Sequence, residues 1–195
     1  MVSRTKLDRT IILEKATEFI DLHGLDQLSL NLLAQELHIK PPSLYNHFDG
    51  LQGVKQELAI YGTEQLYVNM LPAAIGRTGD EAVRALSRAY IDFAKIHPGL
   101  YDATNRIPDS TDKKLQDAQN AILNLVVQVL QDYQLEEDMI VHIVRGLRSI
   151  LHGFSSLDRT GGFQMSVNLE SSFSILIDTF IEGIHSMVQK QGRSD

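Results

Sequence analysis

The sequence predicts an all-α protein of about nine helices, and three observations carry that prediction. Apolar residues recur at three- and four-residue spacing through most of the chain, as in Ile12, Ala16, Phe19 and Ile20, or Ile140, Ile143, Leu147 and Phe154. The stretches between them end on helix-stopping residues: His23-Gly24, Pro41-Pro42, Pro72, His97-Pro98-Gly99 and Gly161-Gly162. No run alternates apolar and polar residues in the way a convincing half-buried strand would.

The first helix is expected from about Leu7 to Leu22, where His23-Gly24 stops it. Ser29 can cap the next by accepting a hydrogen bond from an orphan amide, and Leu30, Leu33, Ala34 and Leu37 form its apolar stripe. Pro41 and Pro42 lack amide donors and suit the first turn of a further helix, reaching about His47. That helix is too short to be stable alone, so its neighbours must hold it. Leu44 and Phe48 are expected to point to the core and Ser43, Tyr45, Asn46 and His47 outward. Hydroxyl, amide and imidazole groups on a short, braced helix suit inspection of a DNA major groove, as in a helix-turn-helix.

A fourth helix should run from Leu51 to Asn69 or Met70 and stop before Pro72, leaving 71–79 as a connector. Beyond it lie Asp80–Ile96, a short helix from Leu100 to Asn105, and a long one capped by Ser110 or Thr111 and ending near Asp132. Two final helices cover about Glu136–Leu157 and Asn168–Gln189. The expected division is a three-helix helix-turn-helix domain at 1–50, a connecting helix at 51–70 and a larger helical domain at 71–195.

Charge complicates a nucleic-acid reading. The chain carries a net charge of −7, and residues 1–65 hold six Lys/Arg against nine Asp/Glu. Phosphate neutralisation supplies much of DNA affinity, so placement matters more than the sum. Arg4, Lys6 and Arg9 gather at the start and Lys40 sits at the turn. The expectation is modest affinity that depends on dimerisation. Absence of cysteine excludes disulfides, thiolate metal sites and cysteine catalysis. No apolar run is long enough for a membrane helix, and the N-terminus lacks a signal-peptide core, which points to a cytoplasmic protein.

Nothing suggests an enzyme, a cofactor or a metal. Ser155, Ser156 and Asp158 lie on or just past the same helix as His152, a poor way to build a nucleophile, base and orienting acid. His142 and His152 are about three helical turns apart, too far to share a metal.

The last two helices carry stripes broader than one shared seam can bury. A second copy docking across a two-fold axis would cover Ile143, Leu147, Ile150 and Phe154 on one, and Phe173, Leu176, Phe180 and Ile184 on the other. Tyr90, Phe93, Tyr101, Leu123, Val127, Leu147 and His152 are candidates to line a cavity, against the plainer reading of core packing.

Leu33-Ala34, Leu37, Ile39 and the run Pro42-Ser43-Leu44-Tyr45-Asn46-His47-Phe48, together with Ile12, Ala16, Phe19 and His23-Gly24, resemble the DNA-binding domain of the TetR family of bacterial transcriptional regulators. The resemblance covers about fifty residues and its motif is specific. The second half resembles the WHG-type C-terminal domain of one TetR branch, through Ile96-His97-Pro98-Gly99-Leu100-Tyr101, His152-Gly153 and Gly161-Gly162-Phe163, with Leu151 in the Trp position.

What the resemblance implies is a ligand-released repressor that binds a pseudo-palindromic operator in double-stranded DNA as a homodimer. The C-terminal domain would form the dimer and enclose an unidentified small-molecule effector. It places Tyr45 and His47 on phosphates, Ser43 and Asn46 on base edges or phosphates, and Pro42 on an apolar group such as a thymine methyl. Ser29 would meet a phosphate, Asn31 an adenine, and Lys40 the DNA backbone. One departure is Leu51, where relatives usually start the fourth helix with a phosphate-gripping lysine; another is the nearby acid Asp49. A helical ligand-binding or interaction protein that has lost DNA binding is the alternative these departures keep open.

Overall fold

The computed structural model describes residues 8–106 and 111–191. Arg4, Lys6 and Ser110 fall outside the described residues. The described residues form eight α-helices and three short 3-10 helices and contain no strand. Among them no helix is long and apolar enough to cross a membrane.

Helix α1 spans Arg9–His23 and starts on Asp8, whose carboxylate accepts from the Ile11 amide at 2.9 Å. It ends at Gly24, whose φ of 88° favours a residue without a Cβ. After a 3-10 turn at Leu25–Gln27, α2 covers Leu30–Glu36 with Ser29 as its cap. Its end is a Schellman motif: His38 donates to the Gln35 carbonyl and Ile39 to that of Ala34, at 3.0 and 2.9 Å. His38 itself takes the left-handed conformation, φ 54°, that glycine usually fills there. The second helix of the turn motif, Pro41–Asn46, is a 3-10 helix. Two prolines remove the first amides, and the Ser43 amide closes onto the Lys40 carbonyl three residues back, at 2.9 Å.

Helix α3, Gly50–Ala74, is longer than expected and contains Pro72. The proline forfeits the bond to the Val68 carbonyl four residues back, but Val68 and Pro72 are both exposed, so water can take its place. Helix α4 spans Gly79–Ile96 and α5 spans Pro98–Arg106. The expected start of α5 at Leu100 is therefore corrected to Pro98, since a proline fits a first helical turn. Helix α6 spans Lys113–Leu130, and the expected cap at Ser110 lies outside the described residues. Asp112 accepts from the Lys114 and Leu115 amides at 2.8 and 3.3 Å. A 3-10 turn at Gln131–Tyr133 leads to α7, Glu137–Arg159, and α8, Leu169–Gln191, whose first turn is tied by the Asn168 side chain.

Two compact units emerge, and they do not follow chain order. The first joins the chain up to Gln65 with Ile96–Ala118; the second joins Leu66–Lys95 with the chain from Gln119 onward. Helix α5 belongs with the N-terminal helices because it docks closely on α1. A Cβ on Gly99 would collide with the Ile20 carbonyl, so glycine permits that approach. Asp21 on α1 completes the joint, accepting from the Gly99 and Leu100 amides at 2.9 Å each and meeting His97 Nδ1 at 2.8 Å. The first core holds Ile12, Ile20, Leu33, Leu44, Leu58 and Leu100, each at most 1% exposed. In the second unit Leu86, Phe93, Leu130 and Ile177 are each at most 2% exposed. A carboxylate ties that unit too: Asp80 accepts from the Tyr133 hydroxyl at 2.7 Å and meets His185 Nε2 at 2.9 Å.

Candidate nucleic-acid interface

The 3-10 segment Pro41–Asn46 is pinned by apolar anchors on either side of its polar display. Leu44 is fully buried and Phe48 nearly so. Burying a leucine this completely stabilises by roughly 2–5 kcal/mol against alanine, far more than six residues of 3-10 helix supply. With the anchors inward, Pro42, Tyr45 and Asn46 are exposed and Ser43 and His47 half-buried; Tyr45 is 63% exposed. Leaving a tyrosine so open sacrifices apolar burial, which fits a side chain kept for contact. Asn31 and Lys40 are also exposed. Ser29 is half-buried, and its hydroxyl already accepts from the Leu32 amide at 3.3 Å.

Several cations of the first unit are already paired. Lys15 is ion-paired with Glu18, and Arg106 grips Asp26 through hydrogen bonds of 2.9 and 2.8 Å that hold this carboxyl below the usual range. Leu51 is half-buried and apolar, so the start of α3 offers no cation at that position. Arg9, which reads in the sequence as part of a basic cluster, is folded onto the end of the reading segment. Its Nε and Nη2 donate to the His47 carbonyl at 2.9 and 2.6 Å, and its Nη1 lies 3.4 Å from Glu57 on α3. Sequence reasoning had no access to that contact, because a main-chain carbonyl 38 residues away leaves no mark in the pattern.

Residues 12–58 match the model of bacterial regulatory proteins of the tetR family, and residues 83–180 match that of the tetracyclin repressor-like C-terminal domain. The HTH-type transcriptional regulator YobS of Bacillus subtilis (strain 168) is 36% identical over 185 residues, covering 94% of this chain and 96% of YobS. The chain belongs to the TetR family of transcriptional regulators. It is a DNA-binding regulator, and the fold agrees. A Rhodococcus sp. RHA1 protein of unknown function superposes with a TM-score of 0.80 at 22% identity, over 94% of this chain and 98% of that one. TetR-Q116A from Acinetobacter baumannii AYE, solved in complex with minocycline, does so at 0.72 with 16% identity, over 93% and 98%.

In this TetR-family chain the cavity candidates have divergent surroundings. Tyr90, Phe93 and Leu147 are buried in the second unit and Tyr101 in the first, while Val127 is half-buried. Leu123 and His152 are exposed, because they fall on outward faces of α6 and α7 beside the buried Val126 and Leu151. A groove of about 510 Å³ in the second unit is lined instead by residues such as Leu71, Ile75, Arg77, Leu125, Val129 and Asp132, and by none of the seven candidates.

The expected dimer stripes divide in the same way. Ile143, Leu147, Phe154, Phe173 and Ile184 are buried within the protomer. Phe154 and Phe173 stack with ring centroids 5.1 Å apart, and the Arg88 guanidinium covers Phe173 at 4.7 Å. Ile150, Leu176 and Phe180 are half-buried. At 100° per residue they continue through Leu157 and Met187 as an outer apolar strip on α7 and α8.

Proposed function

We propose that this regulator is a repressor that binds a pseudo-palindromic operator as a homodimer and is released by a small molecule. A DNA target places its work in the bacterial cytoplasm. The observation that carries the reading is the division of Pro41–Phe48 into buried Leu44 and Phe48 and an open face of Pro42, Tyr45 and Asn46. On that face Tyr45 and His47 bind phosphate, Ser43 and Asn46 reach base edges, and Pro42 meets a thymine methyl. Asn31 reads an adenine, while Ser29 and Lys40 hold the DNA backbone.

The homodimer forms through the outer strip of α7 and α8. Ile150, Leu157, Leu176, Phe180 and Met187 supply its apolar surface. Gly153 and Gly183 lie on the same faces with open space where a Cβ would stand, room for a second copy's helices to approach. Repression and release are supported by the tetracyclin repressor-like match of the C-terminal part and by the minocycline complex of the similar Acinetobacter protein. Release works by population shift: a ligand that favours the form with misplaced reading segments weakens DNA binding by its differential affinity.

Titration of a labelled duplex from upstream of the protein's own coding region tests this reading. The expected result is a Kd between about 1 nM and 1 µM with a negative log–log salt slope of several units. A weak, salt-independent response would favour a helical ligand-binding protein without an operator.

A further inference from the structure

We propose that Arg9 is a positioning residue of the DNA-reading segment: its guanidinium fixes the segment's end against α1 and α3 and makes no phosphate contact. The inference rests on the operator-binding reading above and assigns Arg9 a task opposite to the one its charge suggests.

The geometry engages all three nitrogens of the guanidinium. Nε and Nη2 both donate to the His47 carbonyl, at 2.9 and 2.6 Å, and Nη1 faces the Glu57 carboxylate at 3.4 Å. The group also lies over the Phe48 ring, 5.3 Å from its centroid. His47 closes the 3-10 segment, where carbonyls run out of amide partners. Arg9 stands in the first turn of α1 and Glu57 within α3, so one side chain links three elements at the end of the reading face.

Leu44 and Phe48 fix how deep the segment sits, but apolar contacts are non-directional. A forked donor on the His47 carbonyl adds direction, and base-edge hydrogen bonds weaken steeply with misalignment. The Arg9 side chain is 51% exposed and that of Glu57 23%, so the ion pair adds little to stability. Its effect falls on orientation. Lysine keeps the charge and loses the fork and the stacking plane, which separates the two roles cleanly.

The test uses the full chain and a duplex enriched from a random-sequence pool by the wild type. Arg9→Lys and Arg9→Gln are both expected to weaken binding about tenfold or more while the log–log salt slope stays as in wild type. Lysine that binds like wild type, with glutamine lowering the slope by about one unit, would overturn the proposal in favour of a phosphate contact. Hydrogen–deuterium exchange without DNA supplies an independent reading. Amides from Leu44 to Phe48 should exchange faster in Arg9→Lys, with the α7 and α8 amides unchanged as a folding control; unchanged exchange at Leu44–Phe48 also overturns the proposal. If the wild type enriches no duplex, the operator-binding reading fails, and the exchange experiment still decides whether Arg9 holds the segment.

Discussion

The reading segment and the paired helices α7 and α8 both present apolar and polar faces, but the two faces are decided differently. In Pro41–Phe48 the inward residues, Leu44 and Phe48, have one place to go, and the rest of so short a segment stays exposed or half-buried. In α7 and α8 the apolar residues fill more than half the circumference and two destinations compete for them. Ile143, Leu147, Phe154, Phe173 and Ile184 enter the protomer core, while Ile150, Leu157, Leu176, Phe180 and Met187 remain at or near the surface. A narrow stripe names its own partner; a broad one must be divided by tertiary packing before its outer edge can be read.

A pair of substitutions on α8 breaks that division most severely. Phe173→Asp puts a charge into a site only 4% exposed in the wild type, and a loss above about 4 kcal/mol is expected, seen as insoluble or unfolded protein. Phe180→Asp, on the half-buried strip, should leave a folded chain whose mass by light scattering is that of a monomer. A stable dimer from Phe180→Asp would remove the outer strip as the interface.

A smaller effect comes from the two carboxylate ties. Asp21 joins α1 to the start of α5, and Asp80 joins α4 to Tyr133 and His185. Burial works to raise the Asp80 pKa, but bonds from Tyr133 and His185 win and hold it below the ordinary value. A folded pKa below the unfolded one means that the ionised form stabilises above about pH 4 and that the contribution fades as pH falls through the folded value. Asp80 is 37% exposed, so screening keeps the contribution below about 1 kcal/mol. Asp80→Asn should therefore lose less Tm than wild type between pH 6 and about pH 3.5. An identical drop would show that the tie does not titrate with folding.

The least change is expected at the turn. His38 holds a left-handed conformation at φ 54°, and His38→Gly should raise stability by up to about 1 kcal/mol, read as a higher denaturation midpoint at unchanged m. A loss would mean that the imidazole makes a stabilising contact at this exposed position.

Much of this was legible in the sequence for a local reason. Ser29, the double proline and the Leu44/Phe48 spacing are short-range signals, and they fixed the helix-turn-helix to within a few residues. The features that escaped depend on contacts distant in sequence. The 3-10 form of Pro41–Asn46, the Gly99 approach to Ile20 and the Arg9 bond to the His47 carbonyl all need a partner position that periodicity does not encode. Pro72 reads as a stop in the sequence, although the exposed Val68 and Pro72 let the helix pass through it. Cavity lining was least legible, since His152 is exposed one helical position from the buried Leu151, and Leu123 two positions from the buried Leu125.

Operator affinity of Tyr45→Ala probes the DNA-reading face most directly. The side chain is 63% exposed, so the wild-type melting temperature and dimer mass should be kept while affinity for the selected duplex falls at least about a hundredfold. Binding equal to wild type, from a protein of unchanged fold and mass, would show that Pro41–Asn46 does not face the bases.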